Sequence, residues 1–128
     1  MGKKLLLVED DPTAVRITTY ALERAGYEVL VATNGPEGLK KARDSQPDLI
    51  VLDVMLPGLD GFEVCRSLRE DSPSCEMPIL ILSAKAQESD IRTGLYVGAN
   101  FYLAKPAAPA EILRIIGAML ELKASQPK

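Results

Sequence analysis

Histidine is absent from all 128 residues of the chain. Its absence removes the commonest general base, the Ser/His/Asp and Cys/His catalytic arrangements, and metal ligation by imidazole. The sequence also has neither a GxGxxG pattern nor a Walker loop, so nucleotide binding is not expected. Any chemistry carried by this chain must therefore use carboxylates, hydroxyls and lysine.

An excess of positive charge and long apolar runs are missing too. With 15 basic and 18 acidic residues the net charge is −3, which predicts no direct contact with nucleic acid and no polybasic membrane attachment. No apolar run approaches the roughly 20 residues needed to span a bilayer. The apolar run behind the basic start is too short for a signal peptide. We therefore expect a cytoplasmic protein.

Cysteine is scarce. Cys65 and Cys75 lie outside CxxC and metal-type spacing, which favours reduced thiols over a disulfide. A chain of 128 residues with 47% hydrophobic content fits one domain around a single core. We place that domain at residues 1–122 and interpret residues 123–128, KASQPK, as a tail or the start of a linker, because they show no periodicity.

Five short apolar runs recur along the chain and are typical of buried strands. They are LLLV at 5–8, VLVA at 29–32, LIVL at 49–52, ILIL at 79–82 and FYLA at 101–104. Segments of helical period separate them, and Asp11-Pro12 has the pattern of an N-cap followed by proline in the first helical turn. The order (βα)5 predicts a doubly wound α/β fold with a parallel five-stranded sheet, strand order 2-1-3-4-5, covered on both faces.

Polar side chains follow four of the five apolar runs. They are Glu9, Asp10 and Asp11 after the first, Asp53 after the third, Ser83 after the fourth and Lys105 after the fifth. Because the carboxyl ends of parallel strands meet at one edge of a sheet, these side chains should lie close together. Lys105 starts on the order of 10 Å from Asp53 at the usual strand spacing, a gap that its side chain can largely close.

Such a cluster points to phosphoryl transfer. Several carboxylates within a few ångströms stay ionised only beside a counter-charge, and Mg²⁺ suits a few carboxylates, carbonyls and waters. A bound ion would keep Asp53 ionised and nucleophilic, and an aspartyl phosphate is a known covalent intermediate. Mg²⁺, the Lys105 ammonium and the Ser83 hydroxyl would neutralise and position the phosphoryl oxygens. We therefore predict Asp53 as a phosphoryl acceptor.

Each of these residues also has an ordinary structural explanation. Asp53 alone could end a strand at a turn, Ser83 could cap the turn into the next helix, and Lys105 could be a solvated lysine on an edge strand. Asp11 is better explained as a helix cap than as a metal ligand. Asp60 is interpreted as a turn residue.

Four motifs in order resemble the receiver domain of two-component response regulators, over residues 3–122. They are VEDD at 8–11, LDVMLPGLDG at 52–61, SA at 83–84 and KP at 105–106. The resemblance implies a flavodoxin-like fold and a signalling role rather than an enzyme. It also implies that a histidine kinase or phosphotransfer protein phosphorylates Asp53, the donor imidazole coming from that partner.

The same resemblance implies a set of site residues. Mg²⁺ would be held by Glu9, Asp10, Asp53 and the backbone carbonyl of Met55. Ser83 and Tyr102 would shift on phosphorylation. Lys105 would precede a cis peptide bond at Pro106.

The chain departs from the family on the side expected to contact an output partner. In the DNA-binding subfamily that dimerises through its fourth helix, fifth strand and fifth helix, acidic residues are usual where this chain has Asn100 and Phe101. An aromatic residue commonly follows the proline, where this chain has Ala107. We predict a helix from about Ala108 to Leu122 with two apolar stripes. The first, which would cover the sheet, contains Ile112, Leu113, Ile116, Met119 and Leu120. A second stripe contains Ile115, Ala118 and Leu122.

Our hypothesis is that Phe101, Ile115 and Leu122 form an apolar face for an output partner. The alternative is scattered surface hydrophobic residues. Two other functions stay open. One is a receiver-like interaction module that is not phosphorylated; the other is a phosphatase of the haloacid-dehalogenase type, although Met55 occupies the place of its second aspartate.

Overall fold

The computed structural model describes residues 2–125 and contains every predicted strand. The strands are β1 (Lys4–Val8), β2 (Glu28–Ala32), β3 (Leu49–Leu52), β4 (Ile79–Ser83) and β5 (Phe101–Ala104). The helices are α1 (Pro12–Arg24), α2 (Gly35–Ser45), α3 (Gly61–Glu70), α4 (Glu88–Tyr96) and α5 (Pro109–Ser125), with a short 3₁₀ turn at Ser72–Ser74. None of the helices within residues 2–125 has the length and apolar character needed to cross a membrane.

All five strands are parallel and follow the order β2-β1-β3-β4-β5, which confirms the predicted architecture. Alternate residues of each strand point to opposite faces of the sheet. Leu6, Ile50 and Ile81 belong to a core with α2 and α3. Leu5 and Leu80, from the other face, belong to a core with α1 and α5. Two cores explain why the inner strands are apolar without a break.

Side-chain caps fix where the helices begin. Asp11 accepts a hydrogen bond from the Ala14 amide at 3.2 Å, so its interpretation as a helix cap is confirmed. Asp60 caps α3 by accepting from the amides of Phe62 and Glu63, so it does more than turn the chain. Capping satisfies amides that lack partners in the first helical turn. It also fixes the loops that connect the strand ends to α1 and α3.

The end of the chain differs from the prediction. Helix α5 begins at Pro109 and continues to Ser125, so residues 123–125 are helical rather than part of a tail. Lysine and alanine favour helix, and a lysine near a helix C-terminus complements the helix dipole. The Lys123 ammonium also donates to the Glu76 carbonyl at 2.9 Å. Residues 126–128 of the predicted tail lie outside the described residues, and the boundary at 122 stays a prediction.

Ile115 was wrongly assigned to an exposed face. Its side chain is only 5% exposed and packs in the core beneath the sheet. The buried stripe of α5 consists of Ile112, Ile115, Ile116 and Met119. These positions follow the i, i+3, i+4, i+7 spacing of one helical face. Ile112, Ile116 and Met119 of the predicted core stripe are confirmed, and Leu113 and Leu120 pack partly buried against the same core. The stripe also includes Ile115, which the prediction left out. Phe101 and Leu122 are exposed, at 44% and 66%.

Candidate functional site

Backbone hydrogen bonds continue the sheet beyond the strand ends and place the polar residues side by side. The Glu9 amide donates to the Ala32 carbonyl at 2.9 Å, and the Asp53 amide donates to the Val8 carbonyl at 3.0 Å. The Lys105 amide donates to the Ser83 carbonyl at 2.9 Å. Because each residue takes its place from a neighbouring strand, the position of these side chains is a consequence of strand order.

The structure brings Glu9, Asp53, Ser83 and Lys105 together. The Ser83 hydroxyl donates to Asp53 Oδ1 at 2.7 Å. Lys105 Nζ lies 3.2 Å from Asp53 Oδ2 and 2.5 Å from Glu9 Oε1. One ammonium thus links the carboxylates that follow β1 and β3, so Lys105 contacts the proposed acceptor directly.

Burial makes these contacts energetically important. Glu9 is 4% exposed, Asp53 is 6% exposed and Ser83 is fully buried. An ionised carboxylate in such surroundings requires a counter-charge or hydrogen bonds. Burial acts to lower the pKa of the Lys105 ammonium. Its hydrogen bond to Glu9 and the charge of Asp53 outweigh burial, and the pKa is raised above its ordinary value.

Main-chain amides also donate to the two buried carboxylates. The Met55 amide donates to Asp53 Oδ1 at 3.0 Å, and the Asp11 amide donates to Glu9 Oε2 at 3.2 Å. Both acids are therefore held on two sides. Gly61 allows this close packing, because a Cβ at that position would lie 2.4 Å from the Asp53 carbonyl oxygen. The glycine that opens α3 lets the helix approach the backbone of the acceptor.

The implied metal ligands are only partly gathered. Asp10 is exposed. Met55 contacts the Asp53 carboxylate through its backbone amide rather than its backbone carbonyl. Across residues 2–125 no three acidic or thiol side chains are already arranged as a metal site. Mg²⁺ needs only one or two carboxylates and retains several waters. The buried pair Glu9 and Asp53 therefore fits such an ion chemically, with Lys105 supplying the positive charge between them.

Tyr102 lies on β5, two strands from β3, which precedes the acceptor, and is connected to the acceptor through the end of β4. Its hydroxyl donates to the Lys85 carbonyl. The Lys85 amide in turn donates to the Ser83 hydroxyl at 3.2 Å. Burial, with smaller contributions from the charges of Asp90 and Asp53, raises the pKa of Tyr102 to about 12. Residues 83–85 thus touch both the acceptor and the aromatic side chain.

Sequence reasoning missed two members of this arrangement. The Lys85 carbonyl could not be found from the sequence, because every residue carries one. Gly94, which lies against the Tyr102 ring, gave a signal that was not used: a glycine inside a helix is unfavourable and needs a packing reason. The Lys105–Pro106 peptide bond is cis, as the resemblance implied.

Comparison with known proteins gives a consistent result. A family model described as the response regulator receiver domain matches residues 5–117. The chain is 49% identical over 120 residues to the alkaline phosphatase synthesis transcriptional regulatory protein PhoP of Bacillus subtilis, covering 94% of this chain and 49% of PhoP. It is 38% identical over 117 residues to protein PilH of Pseudomonas aeruginosa, covering 91% of this chain and 97% of PilH. The chain thus spans about half the length of PhoP and nearly all of PilH.

A solved structure shares the fold closely. The receiver domain of the sensor histidine kinase PA1611 from Pseudomonas aeruginosa PAO1 superposes with a TM-score of 0.89 at 34% identity. The match covers 94% of this chain and 99% of that domain. The PA1611 domain is described with a magnesium ion coordinated in its active site cleft.

Proposed function

The chain belongs to the response regulator receiver domain family, and on that premise we propose that it accepts a phosphoryl group on Asp53 in a two-component signalling pathway. The observation that carries the proposal is the contact of one buried carboxylate, Asp53, with both the Ser83 hydroxyl and the Lys105 ammonium. A strand end without that pairing would be an ordinary turn.

The chemistry follows from the charges around Asp53. An ionised carboxylate is the nucleophile in such a step, and the Lys105 ammonium lies 3.2 Å from Asp53 Oδ2. An Asp53 oxygen forms the new P–O bond while the P–N bond of a donor phosphohistidine breaks, and the leaving imidazole takes up a proton. Lys105 and Ser83 then offer a positive charge and a hydrogen-bond donor to the oxygens of the transferred group. The protein contributes positioning and charge.

Mg²⁺ is the cofactor of this proposal. Glu9, Asp10, Asp53 and the backbone carbonyl of Met55 would hold the ion, which would neutralise the negative charge of the incoming phosphoryl group. Two of these acids, Glu9 and Asp53, are already buried next to each other. Asp10 would have to turn toward them.

The phosphodonor is a histidine kinase or a phosphotransfer protein. This chain has no histidine, so the phosphorylated imidazole must belong to the partner. We propose that this reaction takes place in the cytoplasm. Ser83 and Tyr102 would carry the signal from Asp53 toward the side formed by α4, β5 and α5.

An output domain or protein would bind that side. Phe101 and Leu122 are the exposed apolar residues that we propose for this contact. Ile115 belongs to the core and is no longer part of it. An exposed phenylalanine at a strand start favours an apolar contact over a salt-bridged one. We propose no direct contact of this domain with nucleic acid, in keeping with its net charge of −3.

Intact mass spectrometry tests the proposal. The protein is incubated with a small phosphodonor and Mg²⁺, and we expect it to gain the mass of one phosphoryl group. Asp53→Asn should gain none. Asp60→Asn is the matched control, since Asp60 caps α3 and does not contact Asp53; it should gain the group like the original protein. Equal uptake by Asp53→Asn would contradict the assignment.

A further inference from the structure

Gly94 lies where helix α4 packs against β4 and β5. The glycine is buried, although it stands inside a helix of nine residues. A Cβ built on it would lie 2.7 Å and 2.8 Å from two atoms of the Tyr102 ring and 3.0 Å from Ile81 Cδ1. Real Cβ atoms do not approach ring carbons so closely. Tyr102 therefore occupies space that exists only because residue 94 has no side chain.

The other end of Tyr102 is held by the loop after β4. Its hydroxyl donates to the Lys85 carbonyl, so the ring lies between Gly94 and that loop. The Lys85 amide donates to the Ser83 hydroxyl, which itself donates to Asp53. The docked tyrosine and the Ser83 contact with the acceptor thus belong to one conformation of residues 83–85.

We propose that Gly94 is a positioning residue for the response to phosphorylation, because its missing side chain forms the slot in which Tyr102 docks while Ser83 contacts the acceptor. The inference rests on the proposed function for its link to phosphorylation. A phosphoryl group on Asp53 offers Ser83 further acceptor oxygens, which favours the conformation of residues 83–85 that receives Tyr102. A side chain at position 94 opposes that conformation.

The test compares two glycine-to-alanine changes. Gly94→Ala fills the slot, whereas Gly117→Ala, in α5, places its Cβ where nothing lies within 4 Å. Both remove a helical glycine, so both change helix propensity alike. In NMR spectra we expect the nuclear Overhauser contact between the Tyr102 ring and the Ile81 methyl to be lost in Gly94→Ala alone. Retention of that contact in Gly94→Ala would overturn the claim that Tyr102 docks only because residue 94 has no side chain.

Beryllofluoride, a phosphoryl mimic, tests the functional part. With Mg²⁺ present, we expect Gly94→Ala to bind it about fivefold or more weakly, the lower end of ordinary coupling between sites. Gly117→Ala should bind it normally. In a Tyr102→Ala background the addition of Gly94→Ala should change affinity by less than about twofold, because the clash with the ring is gone and the Ile81 methyl, at the end of a flexible side chain, can move. Equal binding by Gly94→Ala and Gly117→Ala would overturn the coupling.

Failure of the two proposals can be told apart. If the original protein binds no beryllofluoride and gains no phosphoryl group, the proposed function fails and the coupling fails with it, while the NMR contact still decides whether Gly94 holds Tyr102. If Gly94→Ala does not fold, Gly94→Ala/Tyr102→Ala decides. If the double variant folds, a clash between the new side chain and the Tyr102 ring explains why Gly94→Ala does not. If the double variant also fails to fold, that explanation is overturned.

Discussion

The Lys105 ammonium pairs with both buried carboxylates of the site, Glu9 and Asp53. Lys105→Met leaves two buried carboxylates without a counter-charge, and we expect the free energy of unfolding to fall by about 2 kcal/mol. Lys40→Met is the control. Lys40 forms an exposed pair with Asp44, so its loss should change stability by less than about 1 kcal/mol. Urea unfolding measures both; equal effects would contradict the assigned role.

The raised pKa of Lys105 fixes a pH dependence. A group whose pKa is higher in the folded state contributes stability that is complete below its unfolded pKa, about 10.4 for lysine, and is lost as pH rises through the folded pKa. The stability difference between the original protein and Lys105→Met should therefore be constant between about pH 8 and 10 and shrink above that range. Urea unfolding at several pH values measures it, and a difference that grows above pH 10 would contradict the ion pair.

At the residue scale the sequence was informative where a side chain follows a strand. Asp53, Ser83 and Lys105 could be placed together because parallel strands end at one edge. The exposed position of Asp10 could not be predicted, because it depends on the turn between β1 and α1. The role of Gly94 depends on how closely α4 approaches β5, which sequence patterns do not record.

In helix α5 the contribution of an apolar residue to stability depends on the face of the helix on which it lies. Ile115 is buried in the core, whereas Leu122, about two turns farther along the same helix, is 66% exposed. Ile115→Ala should lower the free energy of unfolding by about 2 to 4 kcal/mol. Leu122→Ala, the matched change, should lower it by less than about 1 kcal/mol. Chemical denaturation distinguishes them, and a small effect of Ile115→Ala would contradict the packing of α5.

The five strands followed from the apolar runs and their order from the doubly wound fold, but the exposure of Ile115 and Leu122 in α5 did not. Its sequence has apolar residues on more than one side, so two stripes satisfy helical periodicity. Contact with the sheet buries the first stripe together with Ile115 from the second and leaves Leu122 exposed, and this division exists only in the folded chain. Helix ends were similarly uncertain, since Lys123 continues α5 where the pattern had ended.

For the whole molecule, Mg²⁺ should act as a stabilising ligand. An ion that binds only the folded state adds about 1.4 kcal/mol to the free energy of unfolding at ten times its dissociation constant. We expect this increase in the original protein and in Asp60→Asn, and its loss on addition of a chelator. Glu9→Gln removes a proposed ligand and should show a smaller increase. Thermal unfolding with and without the ion measures the effect, and an unchanged response of Glu9→Gln would exclude Glu9 as a ligand.

The central claim is that the whole fold delivers one phosphoryl group to one carboxylate. Reduction with borohydride after phosphorylation converts an aspartyl phosphate to homoserine, and peptide mass spectrometry then locates the converted residue. We predict conversion at Asp53 alone, dependent on Mg²⁺ and on the phosphodonor. Conversion at Asp10, Asp11 or Asp60 in place of Asp53, or no conversion under conditions that phosphorylate an established receiver domain, would contradict the account.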